Sequence, residues 1–195
     1  MGFPKVSLRR ASANTKRMMR RSLRIERLTT DALSPAIARA VGDLCDAAYA
    51  ESMATYFQAI GPGEHLLGWR DDTLVSHLMW VPRWLRPGDG PLLRTAYVEL
   101  VATAPAHQRQ GYAGSLLEYF PSQVGDFDLA ALSPATESLY SRAGWQFWWG
   151  PLAVRTDAGL VPTPDEEVMV LQLPGTPPLD RKLPLSVEWR AGEVW

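Results

Sequence analysis

Three aromatic-rich apolar runs, 65–70, 73–84 and 96–104, follow one another with no helical stretch between them. This block constrains the fold more than any other feature. Asp71-Asp72 separates the first two runs as a hairpin turn would, and 86–91, rich in Pro and Gly, reads as the loop before the third. On the N-terminal side, 23–28 alternates apolar and charged residues like a half-buried strand. Ile37, Ala40, Val41, Leu44, Ala47 and Ala48 then recur at helical spacing, with Ser34 as N-cap and Pro35 in the first turn. A second short helix is expected over 53–60, stopped by Gly61-Pro62-Gly63. Beyond the block, the pattern predicts a helix over 111–120 ended or kinked by Pro121, a strand over 127–132, and a helix over 135–143 closed by Gly144. Strands over 145–154, 168–173 and 186–189 complete the order. Strand and helix do not alternate cleanly, so the expectation is an α+β fold with a mixed sheet covered by helices on both faces.

At 195 residues, with 46% hydrophobic and 21% charged, the chain suits one folded domain. Its charge is unevenly spread. Residues 1–24 hold eight basic side chains and no acidic one, so with a net charge of −1 the remainder carries −9. The expected organisation is a basic, flexible arm over 1–22, with Met18 or Met19 as alternative starts, and a domain over 23–195. An acidic body attracts cationic ligands. The arm lacks the interleaved aromatics of a nucleic-acid binder and reads as a solvated leader, so no nucleic-acid partner is expected. No apolar run reaches the ~18 residues of a spanning helix, and the N-terminus has no secretory apolar region, so neither membrane insertion nor export is expected.

The lone Cys45 has no disulfide partner and no ligand spacing, which fits a reducing cytoplasm. It lies mid-helix with no motif around it and is not read as a nucleophile. His65, His77 and His107 also lack ligand spacing, so no metal is expected. No strand leads into a Gly-x-Gly-x-x-Gly or Walker loop, which removes support for a dinucleotide or nucleoside triphosphate site.

From Val101 to Ala113 a strand passes through a short loop into a helix whose first turn contains Gly111 and Ala113. Unpaired N–H groups and the helix dipole make such a turn a seat for a diphosphate, with Gly111 admitting close backbone approach and Ala113 causing no obstruction. An ordinary strand-to-helix junction has the same spacing. Asp165, Glu166 and Glu167 read from the residues alone as a solvated acidic loop. Trp80 and Trp84 share a strand face, in the core or at a homodimer contact, and Trp145 is expected in the core.

Gln108, Gly111 and Ala113 match the Gln/Arg-x-x-Gly-x-Gly/Ala loop of the GCN5-related N-acetyltransferases (GNAT), and the elements on either side resemble that superfamily's. Tyr97-Val98-Glu99, Leu132-Ser133, Leu139 to Trp145, Trp149-Gly150-Pro151, Thr163 to Glu166 and Trp189 to Trp195 are similar to the aminoglycoside 2′-N-acetyltransferases. The resemblance implies a GNAT fold and acetyl-CoA as co-substrate. It implies that the main chain of Val101 and Thr103 and the loop Gln108, Arg109, Gln110, Gly111, Tyr112 and Ala113 hold that molecule.

It further implies Glu99 as a base acting through water and Tyr140 as the acid that protonates the departing sulfur. From the residues alone, the alternatives are a solvent-facing strand position for Glu99 and core packing with a tethered hydroxyl for Tyr140. The acceptor carboxylates implied are Asp165, Glu166, Glu193 and the terminal carboxylate of Trp195, with Glu51 or its neighbour Ser52 added. Glu193 stands where the family usually has Asp. The implied activity is direct acetylation of an aminoglycoside, at its 2′ amine, which confers resistance. Other acceptors in the same class are a polyamine, a peptide amine or an atypical aminocyclitol such as kasugamycin, and a different class is a binding module that keeps the fold without turnover.

Overall fold

In the computed structural model, which describes residues 23–195, the three-strand block forms the middle of one ten-stranded sheet; the arm expected at 1–22 lies outside the described residues. Strands β1 (Arg24–Thr29), β2 (Glu64–Arg70), β3 (Thr73–Pro87) and β4 (Leu93–Thr103) pair antiparallel in succession. Helices α1 (Pro35–Tyr49) and α2 (Ala54–Ile60) connect β1 to β2. After β4 come α3 (Tyr112–Tyr119), β5 (Leu129–Leu132), α4 (Glu137–Ser141), β6 (Gln146–Phe147), β7 (Leu152–Thr156), β8 (Gly159–Pro162), β9 (Met169–Gln172) and β10 (Leu185–Glu188). The sheet runs β6-β9-β5-β4-β3-β10-β7-β8. It is mixed, because β5 lies parallel to β4 and β10 parallel to β7. The long β3 gives β4 one edge and divides the other, pairing with β2 over 73–80 and with β10 over 85–87.

Both faces are covered, and alternation along β3 shows how. Leu78 and Trp80 pack with Ala96 and Val98 of β4 under Leu116 and Leu117 of α3. Met79 and Val81 face the other way, with Leu100 and Ala102 of β4 under Val41, Leu44 and Cys45 of α1. Residues two apart share a face in a regular strand, so β4 must gain a residue between Val98 and Leu100. The register supplies it: Trp80 opposes Val98 and Met79 opposes Leu100, which leaves Glu99 as a bulge. Ser34 caps α1 as its sequence predicts, its Oγ accepting from the Ile37 N–H at 3.3 Å.

The strand expected over 145–154 is broken into β6 and β7. Between them the N–H groups of Trp149 and Gly150 both donate to the Arg181 carbonyl, at 2.8 and 2.9 Å, instead of to a strand. Gly150 sits so close to the Leu183 carbonyl that a Cβ would collide with it. The hairpin strand β8 was not legible in the sequence, because its four residues are all exposed and carry no buried face. β3 also runs into the expected 86–91 loop, as far as Pro87, and β4 starts at Leu93, three residues before the expected run. Trp80 and Trp145 are core residues, whereas Trp84 is 46% exposed.

A buried polar chain lies on the α1 side. Thr30 Oγ1 donates to the Gly63 carbonyl at 3.1 Å and accepts the Gly63 N–H at 2.9 Å, so its contact of 2.9 Å with His65 Nε2 makes that nitrogen a donor. His65 Nδ1 then accepts from His77 Nε2 at 2.8 Å, and His77 Nδ1 accepts the Cys45 thiol proton at 3.5 Å. Both imidazoles are neutral. Burial lowers His65 from its ordinary 6.5 to about 4 and His77 to about 3, and raises the Cys45 thiol to about 12.

The unfolded chain takes up these protons below about pH 6.5, and the folded chain resists them until about 4 at His65 and about 3 at His77. Stability is therefore whole above pH 6.5 and falls as the pH drops toward 4. The expected slope is at most about 1.4 kcal/mol per pH unit for each imidazole. Urea titrations at pH 7, 5.5 and 4.5 measure it, and His77→Gln should show the shallower decline.

Candidate active site

β4 pairs with β5 only at Thr95–Leu129, Ala96–Ala130 and Tyr97–Ala131. Beyond the bulge, among the described residues, no strand pairs with this side of β4, and the two strands part like a fork. A cleft of about 320 Å³ occupies the opening. Val98, Glu99, Leu100 and Val101 form one wall, Ser133, Ala135 and Tyr140 the other. Tyr49, Glu51, Met53 and Tyr56 approach from the end of α1 and from α2, and Glu193 reaches in from the C-terminal segment.

The free edge of β4 leads into the loop before α3. Side chains satisfy its carbonyls: Tyr49 donates its hydroxyl to Val101 at 3.3 Å, and Gln108 Nε2 donates to Thr103 at 3.3 Å. Gln110 Nε2 donates to the Ala106 carbonyl at 3.3 Å, and the buried Tyr112 sets its hydroxyl 3.4 Å from Gln110 Oε1. Arg109 adopts φ +58° and Gly111 φ +89°, so the backbone turns sharply into the helix. Glycine takes a φ of +89° without the steric penalty of a Cβ, and a Cβ at Gly111 would meet open space. No side chain caps α3, which leaves its first N–H groups beside that space, with the small Ala113 in the same turn. These residues fit an anionic diphosphate.

Glu99 is 1% exposed at its side chain, not solvent-facing. Arg190 Nη1 donates to Oε1 at 2.5 Å and Nη2 to Oε2 at 3.0 Å, while the Tyr56 hydroxyl donates to Oε2 at 3.0 Å. Burial and then the charge of Glu99 raise the Tyr56 phenol above its ordinary value. Burial lowers Arg190, but the bond to Glu99 and its charge outweigh that and hold the guanidinium above its usual range. Tyr140 packs edge-on against Trp145, ring centroids 6.3 Å apart, and burial raises its phenol to about 12. Tyr56 and Arg190 were assigned no role from the sequence. Arg190 belongs to the 189–195 segment that carries the resemblance, whereas nothing local marks Tyr56, which meets Glu99 only through the packing of α2 on β4.

The expected acceptor carboxylates divide. Glu51 and Glu193 line the cleft, and Ser52 does not. Asp165 and Glu166 lie in the turn between β8 and β9, where with Trp148 and Trp149 they line a second hollow of about 690 Å³. Between the two hollows the Ser133 hydroxyl donates to the Glu167 carbonyl at 3.0 Å. The Trp195 indole is buried with Tyr97, Trp148 and Val187 and donates from Nε1 to Thr163 Oγ1 at 2.8 Å, so this side chain anchors the segment. Arg83 fastens the same segment, with Nε on Glu188 Oε1 at 2.9 Å, Nη2 on the Glu188 carbonyl at 2.8 Å and Nη1 on the Val194 carbonyl at 3.0 Å. Among the described residues, no group of three or more His, Cys, Asp or Glu could hold a metal ion, and no helix is long and apolar enough to cross a membrane.

A family model described as an acetyltransferase (GNAT) domain matches residues 24–148. The aminoglycoside 2′-N-acetyltransferase of Mycolicibacterium fortuitum is 32% identical over 151 residues, 74% of this chain and 76% of that protein. Among solved structures, the GNAT family N-acetyltransferase YhbS of Escherichia coli, in complex with CoA, superposes with a TM-score of 0.60 at 15% identity, covering 87% of this chain and 91% of that one. Eis1 from Mycobacterium abscessus superposes with a TM-score of 0.55 at 18% identity over 67% of this chain, which spans only 32% of Eis1. At these identities the two structures share the fold, the α+β arrangement expected from the element order. With the family model matching well over half its length, this chain belongs to the GNAT family of acetyltransferases.

Proposed function

We propose that the chain transfers the acetyl group of acetyl-CoA to an amino group of a polycationic small molecule, and that this acceptor is an aminoglycoside modified at its 2′ amine. One observation carries the reading: Glu51 and Glu193 enter the same forked cleft as Glu99 and Tyr140. Neither Glu51 nor Glu193 has an ion-pair partner among the described residues, so both are free to meet ammonium groups. The aminoglycoside itself is supported by the Mycolicibacterium fortuitum relative. Acetylation would remove one positive charge from the drug and so confer resistance in the cytoplasm.

Bound acetyl-CoA would supply an activated acetyl group carried on a thiol leaving group. The N–H groups around Gly111, with Arg109, Gln110, Tyr112 and Ala113, would hold its diphosphate, and the main chain of Val101 and Thr103 would bond the pantetheine amides. A carboxylate offers about four lone-pair positions, and Arg190 and Tyr56 fill three of those on Glu99. The open position is on Oε1. There Glu99 accepts, through a water, the proton lost by the acceptor amine as nitrogen bonds to the acetyl carbon and the carbon–sulfur bond breaks. Tyr140, a phenol protonated at neutral pH, gives its proton to the departing sulfur. Asp165 and Glu166, in the neighbouring hollow, suit a more distant ammonium of a long acceptor.

Gly111→Glu puts a side chain and a negative charge into the space beside the α3 N-terminus. Calorimetry should show acetyl-CoA affinity lost in a protein that still melts cooperatively; unchanged affinity would displace the diphosphate from this turn.

Tyr140→Phe and Glu99→Gln should each lower kcat by ~10²–10⁴-fold with acetyl-CoA affinity kept. Stopped-flow detection of the released thiol measures this, and near-normal kcat in both would remove the assigned roles.

A panel of amines assayed by thiol release tests the acceptor class. Aminoglycosides with a 2′ amine should turn over, those with a 2′ hydroxyl should not gain an acetyl group at that position, and KM should rise with ionic strength as salt screens the cleft carboxylates. Preference for a neutral amine with a salt-independent KM would count against a polycationic acceptor.

A further inference from the structure

We propose that Arg190 is a positioning residue that keeps the proton-accepting Glu99 and the acceptor-binding Glu193 in register, an inference that rests on the acetyl-transfer reading above. Its guanidinium bonds through all three nitrogens. Nη1 and Nη2 grip the two oxygens of Glu99, at 2.5 and 3.0 Å, and Nε donates to the main-chain carbonyl of Glu193. Glu99 is the bulged residue of β4, and Glu193 belongs to the turn after β10, far away in sequence. Among the described residues, no other side chain bonds both. A planar guanidinium holds its donors in one rigid fork, so the carboxylate and the turn take their relative position from a single group.

Two neighbours show that this is more than a fastening. Arg83 already ties the C-terminal segment to β3, through Glu188 on one side of Arg190 and the Val194 carbonyl on the other. The turn also rests on α2: Gly192 has φ +81°, and a Cβ there would meet Ala59 at 3.4 Å. α2 carries Tyr56, whose hydroxyl is the third donor to Glu99. The two ends of the segment are therefore anchored without Arg190, which is left to hold the turn between them and to set where the Glu99 carboxylate stands relative to Glu193. An acceptor whose ammonium binds at Glu193 meets the proton acceptor at a distance fixed by one side chain.

Lysine at this position keeps the charge and loses the fork. Arg190→Lys should retain the fold and acetyl-CoA affinity by calorimetry, lower kcat by roughly 10–100-fold and raise acceptor KM by roughly tenfold, because both carboxylates shift together. Glu193→Gln should move KM alone. The pair Arg190→Lys with Glu99→Gln should lose no more kcat than Glu99→Gln by itself, since the two act as one unit. A second readout needs no substrate: amide hydrogen exchange at 191–193 should quicken in Arg190→Lys and Arg190→Gln while the amides of β10 keep their protection.

Normal kcat and KM in Arg190→Lys, additive losses in the double variant, or unchanged exchange at 191–193 would each overturn the proposal. A wild-type protein that acetylates no amine would instead refute the acetyl-transfer reading. Exchange would then still show whether Arg190 holds the turn, and unchanged exchange would end the proposal independently.

Discussion

The extra residue at Glu99 forces β4 to change faces and partners at one point. Upstream of it, Ala96 and Val98 look toward α3 and the strand is hydrogen-bonded on both sides; downstream, Leu100 and Ala102 look toward α1 and one edge is free. Main-chain groups withdrawn from a ladder need other partners. Tyr49 supplies one to Val101 and Gln108 supplies one to Thr103. Such bonds from side chains can be exchanged for bonds from a ligand at little net cost, which is how a strand edge serves as a binding surface without becoming a site of aggregation. The same bulge aims the Glu99 carboxylate into the space it opens.

A buried carboxylate is tolerable only when its charge is answered, and here Arg190 and Tyr56 answer it from segments far apart in sequence. The cleft is thus assembled from β4, from the α1–α2 turn region and from the C-terminal segment. The polar chain of Thr30, His65, His77 and Cys45 lies on the same α1 face but is satisfied internally. Its groups are neutral, and it gives that side of the sheet a single hydrogen-bonding direction.

Much of this was legible locally. Ser34 and Pro35 announce α1, Gly144 closes the helical stretch before β6, and the strand-loop-helix around Gly111 shows its backbone requirement in the residue type itself. The bulge was not legible, because Val98, Glu99 and Leu100 read as ordinary alternation, and only the register against Met79 and Trp80 makes Glu99 the extra residue. The break at Gly150 depends on a carbonyl at Leu183 that no local pattern reveals. Glu51 and Glu193 came together as expected, yet Asp165 and Glu166 occupy the adjoining hollow. Resemblance nominates residues without fixing which side of Ser133 they occupy.

The divided edge of β3 has a consequence for how the molecule comes into being. β10, drawn from residues 185–188, lies between β3 and β7, so the sheet has a gap in its interior until that late segment arrives. The pairing Leu185–Pro87 closes a loop of about a hundred residues, and long loops must be closed before their contacts return any stability. The first four strands with α1 and α3 can assemble from nearer contacts. Until that segment docks, the Glu99 carboxylate has no guanidinium to pair with. The gain of the ion pair and the closing of the sheet are one event, and a chain stalled before it would expose the unfilled edge of β3 to other molecules.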